Sequence, residues 1–251
     1  MNFSLKGFNR LLLLVALPAA LTSCGDDEPD PVPPAPDQGK VMLVHAAAAS
    51  NVQITAFLSD QQVGQLNYGQ NSNYLGVNVG SPTLRINSGT NVLSTQGLTV
   101  AKDQSYSVFA YSPSATIGVN PALLTVTDDL TAPAAGQAKV RLVHLGVNAP
   151  TPVWLTVPSA VPGTPGTDIT TNGVAFGAAS GFFPINAGSL NLTVTSGTLR
   201  TQVVAVGDGS GSGTGVKNYE AGKIYTIVVR GIAGAGVPAA QAAQAVIIQN
   251  N

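Results

Sequence analysis

The sequence predicts an all-β protein with two tandem Ig-like antiparallel β-sandwich domains after a lipoprotein signal peptide and a proline-rich tether. Apolar runs of four to seven residues recur every 8–15 residues between Gly, Asn, Ser and Pro, which is typical of short strands joined by turns. No stretch keeps a 3.6-residue apolar period over the length of a helix. Strands without intervening helices favour antiparallel sheets in a sandwich, with about seven strands in each copy.

The first 23 residues are predicted to be a lipoprotein signal peptide. Lys6 and Arg10 precede the apolar run Leu11–Leu21, which is shorter than the roughly 20 residues that a membrane-spanning helix needs. The segment Leu-Thr-Ser-Cys that ends at Cys24 resembles a bacterial lipobox. The resemblance implies that Cys24 is lipidated and begins the mature chain, so that a lipid anchor holds the protein on a membrane. An ordinary secretion signal with an incidental cysteine is the alternative.

Residues 24–37 are predicted to form a tether. Asp26, Asp27 and Glu28 follow the lipidated cysteine and resemble the surface-export signal of Bacteroidota lipoproteins; a merely solvated acidic tether is the alternative. Residues 29–37 hold five prolines and favour an extended polyproline spacer. This address predicts an outer-membrane protein at the cell surface, with the periplasmic face as the alternative.

Four blocks of sequence occur twice in the same order, which predicts a tandem duplication. The pairs are 40–45 with 139–144, 68–74 with 176–182, 88–90 with 196–198, and 102–108 with 222–227. The offset between the copies grows at two Pro/Gly-rich insertions, 158–168 and 207–215. Surface loops tolerate insertions of this kind. The predicted domains are 38–130 and 138–251, joined by a linker at 131–137.

Several of these blocks resemble the DUF4397 family, a domain of unknown function in secreted and lipid-anchored bacterial proteins. They are Val140–His144, Asn148–Pro150, Val174–Gly177 and Ala221–Thr226. The second copy resembles the family more closely, because the first lacks the proline at Ala46–Ser50. The resemblance implies the fold and the compartment, and it brings no assigned activity.

Side-chain alternation assigns the faces of the predicted strands. The inward positions of the two copies are Val41, Leu43, His45, Ile54, Ala56, Leu58, Tyr106, Val108 and Ala110, and Val140, Leu142, His144, Val153, Leu155, Val157, Tyr225, Ile227 and Val229. Met42 and Arg141 occupy the opposite face of the first strands, which is therefore expected to face water. Asp128 and Asp129 either pair with a Lys of the second domain or solvate the linker, and the second is expected. Tyr106 and Tyr225 resemble a tyrosine corner in position.

Composition argues against an enzyme and against a nucleic-acid binder. Only 9% of the residues are charged, against about 25% in a typical domain, and the net charge of −1 comes without a Lys/Arg cluster. His45 and His144 occupy equivalent repeat positions, which predicts half-buried side chains that hydrogen-bond a turn. No G-x-S-x-G or metal-ligand motif is present. We therefore expect no catalytic residue, metal or cofactor.

Trp154 is the candidate binding residue, because alternation places it opposite Val153 and Leu155 on the outer sheet face. An exposed indole stacks on sugars or anchors a protein partner; the alternative is that the 158–168 insertion or the domain interface covers it. The sequence predicts a non-catalytic cell-envelope lipoprotein, a surface binding or adhesion module for a glycan or an envelope protein. A structural spacer or accessory subunit of an outer-membrane complex is the alternative, and a hydrolase with an unrecognised site is the third.

Overall fold

A computed structural model describes residues 35–161 and 164–251. The predicted signal peptide, the lipidated Cys24, the acidic residues Asp26, Asp27 and Glu28, and most of the tether lie outside the described residues. Within the described part of the chain, no helix is long and apolar enough to cross a membrane.

The first half of the described chain is built of eight strands and one short 3-10 turn, Ala48–Ser50. The strands are β1 (Gln38–Ala46), β2 (Ile54–Leu58), β3 (Gln61–Leu66), β4 (Leu75–Asn78), β5 (Thr83–Ser88), β6 (Asn91–Gly97), β7 (Ser105–Tyr111) and β8 (Ala122–Asp128). The all-β prediction is confirmed, with one strand more in this half than the sequence suggested.

The second half has the same long strands with shorter ones between them. They are β9 (Gln137–His144), β10 (Val153–Val157), β11 (Thr167–Asp168), β12 (Ala178–Ala179), β13 (Phe183–Asn186), β14 (Gly188–Leu190), β15 (Thr193–Ser196), β16 (Thr201–Ala205), β17 (Lys217–Tyr219), β18 (Ile224–Arg230) and β19 (Gln244–Gln249). A second 3-10 turn, Ala239–Gln241, precedes β19.

Each half contains two main sheets in corresponding order; three have four strands, the sheet of β9 has five, and a separate two-stranded sheet pairs β14 with β17. The first half has β4-β1-β7-β8 and β3-β2-β5-β6, and the second has β12-β9-β18-β19, with β13 also on β9, and β11-β10-β15-β16. Most pairs are antiparallel, but β1 pairs parallel with β7, and β9 pairs parallel with β18. The predicted antiparallel β-sandwich fold is confirmed, and it includes two parallel pairs because each first strand lies beside a late strand after the chain has crossed to the other sheet.

The inward faces follow the predicted alternation. Val41, Ile54 and Val108 meet in the core of the first half, and Val140 and Leu155 lie in the core of the second. Because side chains alternate across a strand, each sheet can direct one such set into its own sandwich.

The two tyrosines of the late strands make the same hydrogen bond. The Tyr106 hydroxyl accepts a bond from the Ala101 amide at 3.1 Å, and the Tyr225 hydroxyl accepts one from the Glu220 amide at 3.1 Å. Each bond ties the start of the late strand to the turn before it, so the predicted tyrosine corners are present in both halves.

The opposite face of the first strands does not meet water. Met42 is 2% exposed and Arg141 is 1% exposed, so the expected solvent-facing side was wrong. Strand alternation says which residues share a face, but not whether another sheet covers that face. Here the sheet of β1 and β7 packs against the sheet of β9 and β18, so that four layers form one compact unit from Pro36 to Asn251. The apolar residues of this interface are Met42, Val44, Ala46, Phe109, Val143, Leu145, Val228 and Ile248.

A buried ion pair crosses the interface between the halves. The Arg141 guanidinium donates from Nη1 to Asp128 Oδ1 at 2.5 Å, and both side chains are almost fully covered. Its Nη2 donates to Ser107 Oγ at 2.9 Å and its Nε to Thr226 Oγ1 at 2.8 Å. The same group lies 4.6 Å from the centre of the Phe182 ring. The buried charge is thus paired and hydrogen-bonded, as burial requires.

Tyr74 and Asn250 complete the polar network. The Tyr74 hydroxyl donates to Asp128 Oδ2 at 2.5 Å and accepts from Asn250 Nδ2 at 3.0 Å. Burial, reinforced by the Asp128 carboxylate, raises the pKa of Tyr74 to about 12, so this hydroxyl remains a donor. Asn250 Oδ1 in turn accepts from Thr226 Oγ1 at 2.7 Å, so the network joins the two halves continuously.

Asp129 forms a second, exposed contact between the halves. Lys139 Nζ lies 3.0 Å from Asp129 Oδ2. Hydrogen bonds from the Thr131 side chain and from Lys139 lower the pKa of Asp129 to about 2. The expectation that Asp128 and Asp129 solvate the linker was wrong, because each carboxylate pairs with a cation of the second half.

We expect the buried pair to be strongly coupled in stability. Asp128→Asn alone should lower the free energy of unfolding by about 3–5 kcal/mol, because Arg141 stays charged and buried without a carboxylate. Arg141→Met alone should also destabilise. The double variant should recover most of the loss, because Met42 and Asn250 already hold the corresponding positions in the other half. Urea unfolding of all four proteins measures the coupling.

The exposed pair is the matched control. Lys139→Met and Asp129→Asn should each change stability by less than about 1 kcal/mol. Losses at Asp128 and Arg141 that simply add in the double variant would contradict the buried coupling.

Candidate functional site

His45 is buried and hydrogen-bonded to the turn that follows β1. Its ring is completely buried, with Nε2 donating to the Val52 carbonyl at 2.9 Å and Nδ1 facing the Ala47 amide at 3.4 Å. Burial lowers the pKa of His45, and the charge of Arg230 lowers it further. The predicted hydrogen bond to a turn is therefore confirmed for His45, although the ring is fully rather than half buried.

His144 is buried as deeply, but its bond to the following turn is weaker. Neither ring nitrogen makes a hydrogen bond of good geometry within the described residues, yet the Pro150 carbonyl of the turn is close enough to raise the imidazole pKa, so the predicted contact with a turn is present without a well-formed hydrogen bond. Burial lowers the pKa of His144 to about 4, and the Pro150 carbonyl opposes this shift only in part. The imidazole is therefore neutral at pH 7 and packs edge-on against Phe176, with the ring centres 5.9 Å apart.

Each histidine packs against an aromatic ring of its own half, and a side chain of the opposite half covers that ring; we call this arrangement a histidine cage. The His45 ring meets Tyr68 at 5.9 Å, and the Arg230 guanidinium lies 4.8 Å from the centre of the Tyr68 ring. On the other side, Tyr111 of the first half meets Phe176 at 5.8 Å. Tyr111 and Arg230 are the last residues of the corresponding strands β7 and β18. Each half therefore contributes a side chain from the same position to the aromatic cluster around the histidine of the other half.

The described residues do not assemble a metal centre. Within the ranges 35–161 and 164–251, no group of three or more His, Cys, Asp or Glu side chains is placed to hold a metal ion.

Trp154 lies on the outer face of its sheet, as alternation predicted, but one face of its indole is occupied. The Arg200 guanidinium lies 3.9 Å from the centre of the ring. Asp168 fixes that guanidinium through Nε bonds of 2.9 and 2.8 Å and an Nη2 contact of 2.7 Å. Gly173 approaches the indole edge so closely that a Cβ there would lie 2.6 Å from Trp154 Cζ2. Trp154 is therefore half-buried rather than open in a groove. Asp168, a residue of the 158–168 insertion, holds the Arg200 guanidinium that covers the indole.

The first half carries a similar arrangement on its outer sheet. The Arg85 guanidinium lies 4.3 Å from the centre of the Phe57 ring, and its Nη2 lies 3.0 Å from Asp60 Oδ1. Because both halves place an aromatic ring, a guanidinium and a carboxylate together on this face, we attribute the Trp154 arrangement first to stabilising the sheet.

A cleft of about 430 Å³ opens where loops of the first half meet. Its lining residues are Ala49, Ser50, Asn51, Val52, Ser88, Asn91, Leu93, Ile117, Gly118, Asn120 and Gln241. Seven of them come from the β1–β2 and β7–β8 connections, Ser88, Asn91 and Leu93 come from the adjoining ends of β5 and β6, and Gln241 comes from the second half. None of the lining residues in the described part of the chain carries a titratable side chain.

Most polar side chains of the cleft are unpaired; the exception among the described lining residues is Ser50, whose hydroxyl donates to the Val119 carbonyl. Asn51, Asn91, Asn120, Gln241 and Ser88 make no side-chain hydrogen bond within the described residues, although the cleft brings them together. Sequence reasoning missed this site because its residues come from four segments without a shared motif. The one available signal was the density of Asn beside short apolar runs, which equally describes ordinary turns.

A family comparison assigns the first half. Residues 39–151 match the model described as Domain of unknown function (DUF4397), so the chain contains a DUF4397 domain. The match runs through β9 to Thr151 and includes both Asp128 and Arg141. It falls mainly on the first half, so the expectation that the second half resembles the family more closely is not confirmed. No curated protein matches the chain.

We expect the buried histidines to make stability depend on pH. Because the folded protein lowers both histidine pKa values below the unfolded value of about 6.5, the unfolded chain binds more protons between about pH 6.5 and 4. Stability is then fully present above pH 6.5 and is lost as the pH falls, by about 2 kcal/mol at pH 5 for His144. Urea midpoints between pH 7.5 and 5 measure this, and His144→Gln should flatten the curve. A wild-type midpoint that stays constant over this range would contradict it.

We expect Arg200 to shield the single tryptophan. Arg200→Ala should increase acrylamide quenching of Trp154 fluorescence, because it uncovers one face of the indole. It should lower stability only slightly, through loss of the cation–π contact and the Asp168 pair. Arg85→Ala, which uncovers Phe57 instead, is the control and should leave the quenching unchanged. Equal quenching in wild type and Arg200→Ala would mean that the guanidinium does not cover the ring in solution.

Proposed function

We propose that the protein is a non-catalytic cell-envelope lipoprotein that acts as a surface binding or adhesion module for a glycan or protein. The observation that carries this proposal is the loop-end cleft, where unpaired Asn, Gln and Ser side chains converge without a titratable group. Such groups bind and orient a ligand but supply no general base that would activate a serine hydroxyl as a nucleophile.

The histidines support binding over catalysis. Both imidazoles are buried within the packed halves, and neither belongs to the cleft. A general base must reach the proton that it abstracts, and a ring enclosed by Tyr68 or Phe176 has no such access.

The envelope address rests on the N-terminal sequence. We propose lipidation at Cys24 and export to the outer face of the outer membrane through Asp26, Asp27 and Glu28, in a Bacteroidota-like bacterium. The proline-rich tether would then hold the folded block away from the lipid. We further propose that the block is a tandem duplication, with the second half also DUF4397-like, because corresponding strands have corresponding neighbours in both halves.

A structural spacer or accessory subunit is the second candidate. It is favoured by the buried network that joins the halves into one unit, which suits a rigid spacer as well as a binding platform. Trp154 remains a candidate contact for a protein partner through its uncovered part.

We expect the protein to be accessible on intact cells. Protease added outside should digest it, while a periplasmic marker in the same cells stays intact. The variant with Asp26→Asn, Asp27→Asn and Glu28→Gln should be protected if these residues direct export, and Cys24→Ala should leave the membrane fraction. Protection of the wild-type protein in intact cells, with digestion after lysis, would contradict the surface location.

A further inference from the structure

We infer that the loop-end cleft binds a neutral, hydroxyl-rich ligand, that is, an uncharged glycan unit, and that the second half completes the site through Gln241. The inference rests on the proposed binding function and names the ligand class of the same cleft.

The charge of the cleft selects against ions. Its described lining residues carry no ionisable side chain. A charged ligand entering it would lose hydration without gaining an ionic partner, which is unfavourable. Because no described lining residue offers a counter-charge, the cleft favours neutral ligands over charged ones.

The hydrogen-bonding groups of the cleft match hydroxyls. A carboxamide offers both donors and acceptors, and a hydroxyl ligand likewise donates and accepts. Asn51, Asn91, Asn120 and Gln241 supply four such carboxamides, and none of them is engaged by the described protein. Because these side chains reach solvent before the ligand arrives, each exchanges a water bond for a ligand bond without breaking an internal one.

Aliphatic side chains provide a surface for the carbon face of a sugar ring. Ile117 is 85% exposed, and Val52 and Leu93 lie in the same cleft. The volume of about 430 Å³ falls within the ~300–1,000 Å³ typical of small-ligand sites. The size fits one or a few sugar units rather than a protein face.

The backbone of the cleft is held in place before binding. Ser112 Oγ accepts from the Ala49 amide at 2.8 Å, the Gly118 amide donates to the Ala49 carbonyl at 3.0 Å, and Ser50 Oγ donates to the Val119 carbonyl. These bonds tie the β7–β8 loop to the turn after β1, which lowers the ordering cost of binding.

The second half closes one side of the cleft. The Gln241 carbonyl accepts from the Ile232 amide at 2.8 Å, which fixes the 3-10 turn that carries the Gln241 side chain. This turn belongs to the β18–β19 connection, so the docking of the halves also sets the geometry of the cleft. An isolated first half would lack Gln241 at the site.

The test is an array of neutral and acidic oligosaccharides probed with the whole mature chain, followed by calorimetry on neutral hits. Ile117→Asp and the double variant Asn91→Ala/Asn120→Ala should each weaken neutral binding at least tenfold, and Gln241→Ala should weaken it several-fold. The controls are Leu199→Asp, which changes a similarly exposed apolar residue outside the cleft, and Asn191→Ala; both should bind within twofold of wild type. Unchanged urea midpoints verify that all variants fold.

Three outcomes overturn the inference, and they separate it from the proposed function. Binding restricted to acidic glycans or to peptides, and lost in Ile117→Asp, would leave a binding module with a different ligand class. Neutral binding that survives the cleft variants and is lost in Trp154→Ala would move the site to the outer sheet. No binding of any probe by the folded protein would overturn both the inference and the binding function, and would favour the spacer.

Discussion

The Arg141–Asp128 ion pair is the constraint on which the arrangement of the molecule depends. Removing two charges from water is unfavourable unless they meet each other with good geometry and with their remaining hydrogen-bonding groups satisfied. Ser107, Thr226 and Tyr74 provide those bonds. Because they come from both halves, the pair is satisfied in only one docking of the sheets, and apolar packing alone would not specify that register so narrowly. The histidine cages and the composite cleft both follow from this docking.

The interface is a near two-fold arrangement in which the charges break the symmetry. Met42 corresponds to Arg141, Asn250 to Asp128, Ser107 to Thr226, and Tyr74 to Phe182. A strictly symmetric face would carry a second buried ion pair, at positions 42 and 250, or none at all. With Met42 and Asn250 at the equivalent positions, the interface buries one cation and one anion. The same inequality appears in the cages, where Arg230 covers Tyr68 while Tyr111 covers Phe176.

The alternation of apolar residues predicted which side chains of each strand face the core of its own sandwich. It did not predict which side chains are buried where the two sandwiches meet. The alternation of Val41, Leu43 and Val108 identified the first core, because a strand has only two faces. It could not reveal that the face of Met42 and Arg141 is covered, since this depends on a sheet about a hundred residues away in the chain. Arg141 misled for a physical reason: a charged residue is normally a sign of solvent, and its partner Asp128 lies in another strand. The cleft could not be predicted from the sequence, because Asn91 and Asn120 converge only through tertiary structure. The parallel pairing could not be predicted either, because the order of strands along the chain does not show which strands are neighbours in a sheet.

Each first strand pairs in parallel with a late strand, so the central sheet of each half forms only after the late strand is available. Lys40 pairs with Ser105, and Lys139 pairs with Ile224, so each central sheet needs residues from both ends of its half. Contacts of such long sequence separation form slowly. A chain clipped before β18 would leave β9 without its central neighbour and the Arg141 cation without Thr226. The double sandwich is therefore vulnerable to proteolysis while it is being completed, and resistant once its last strand has closed the sheet.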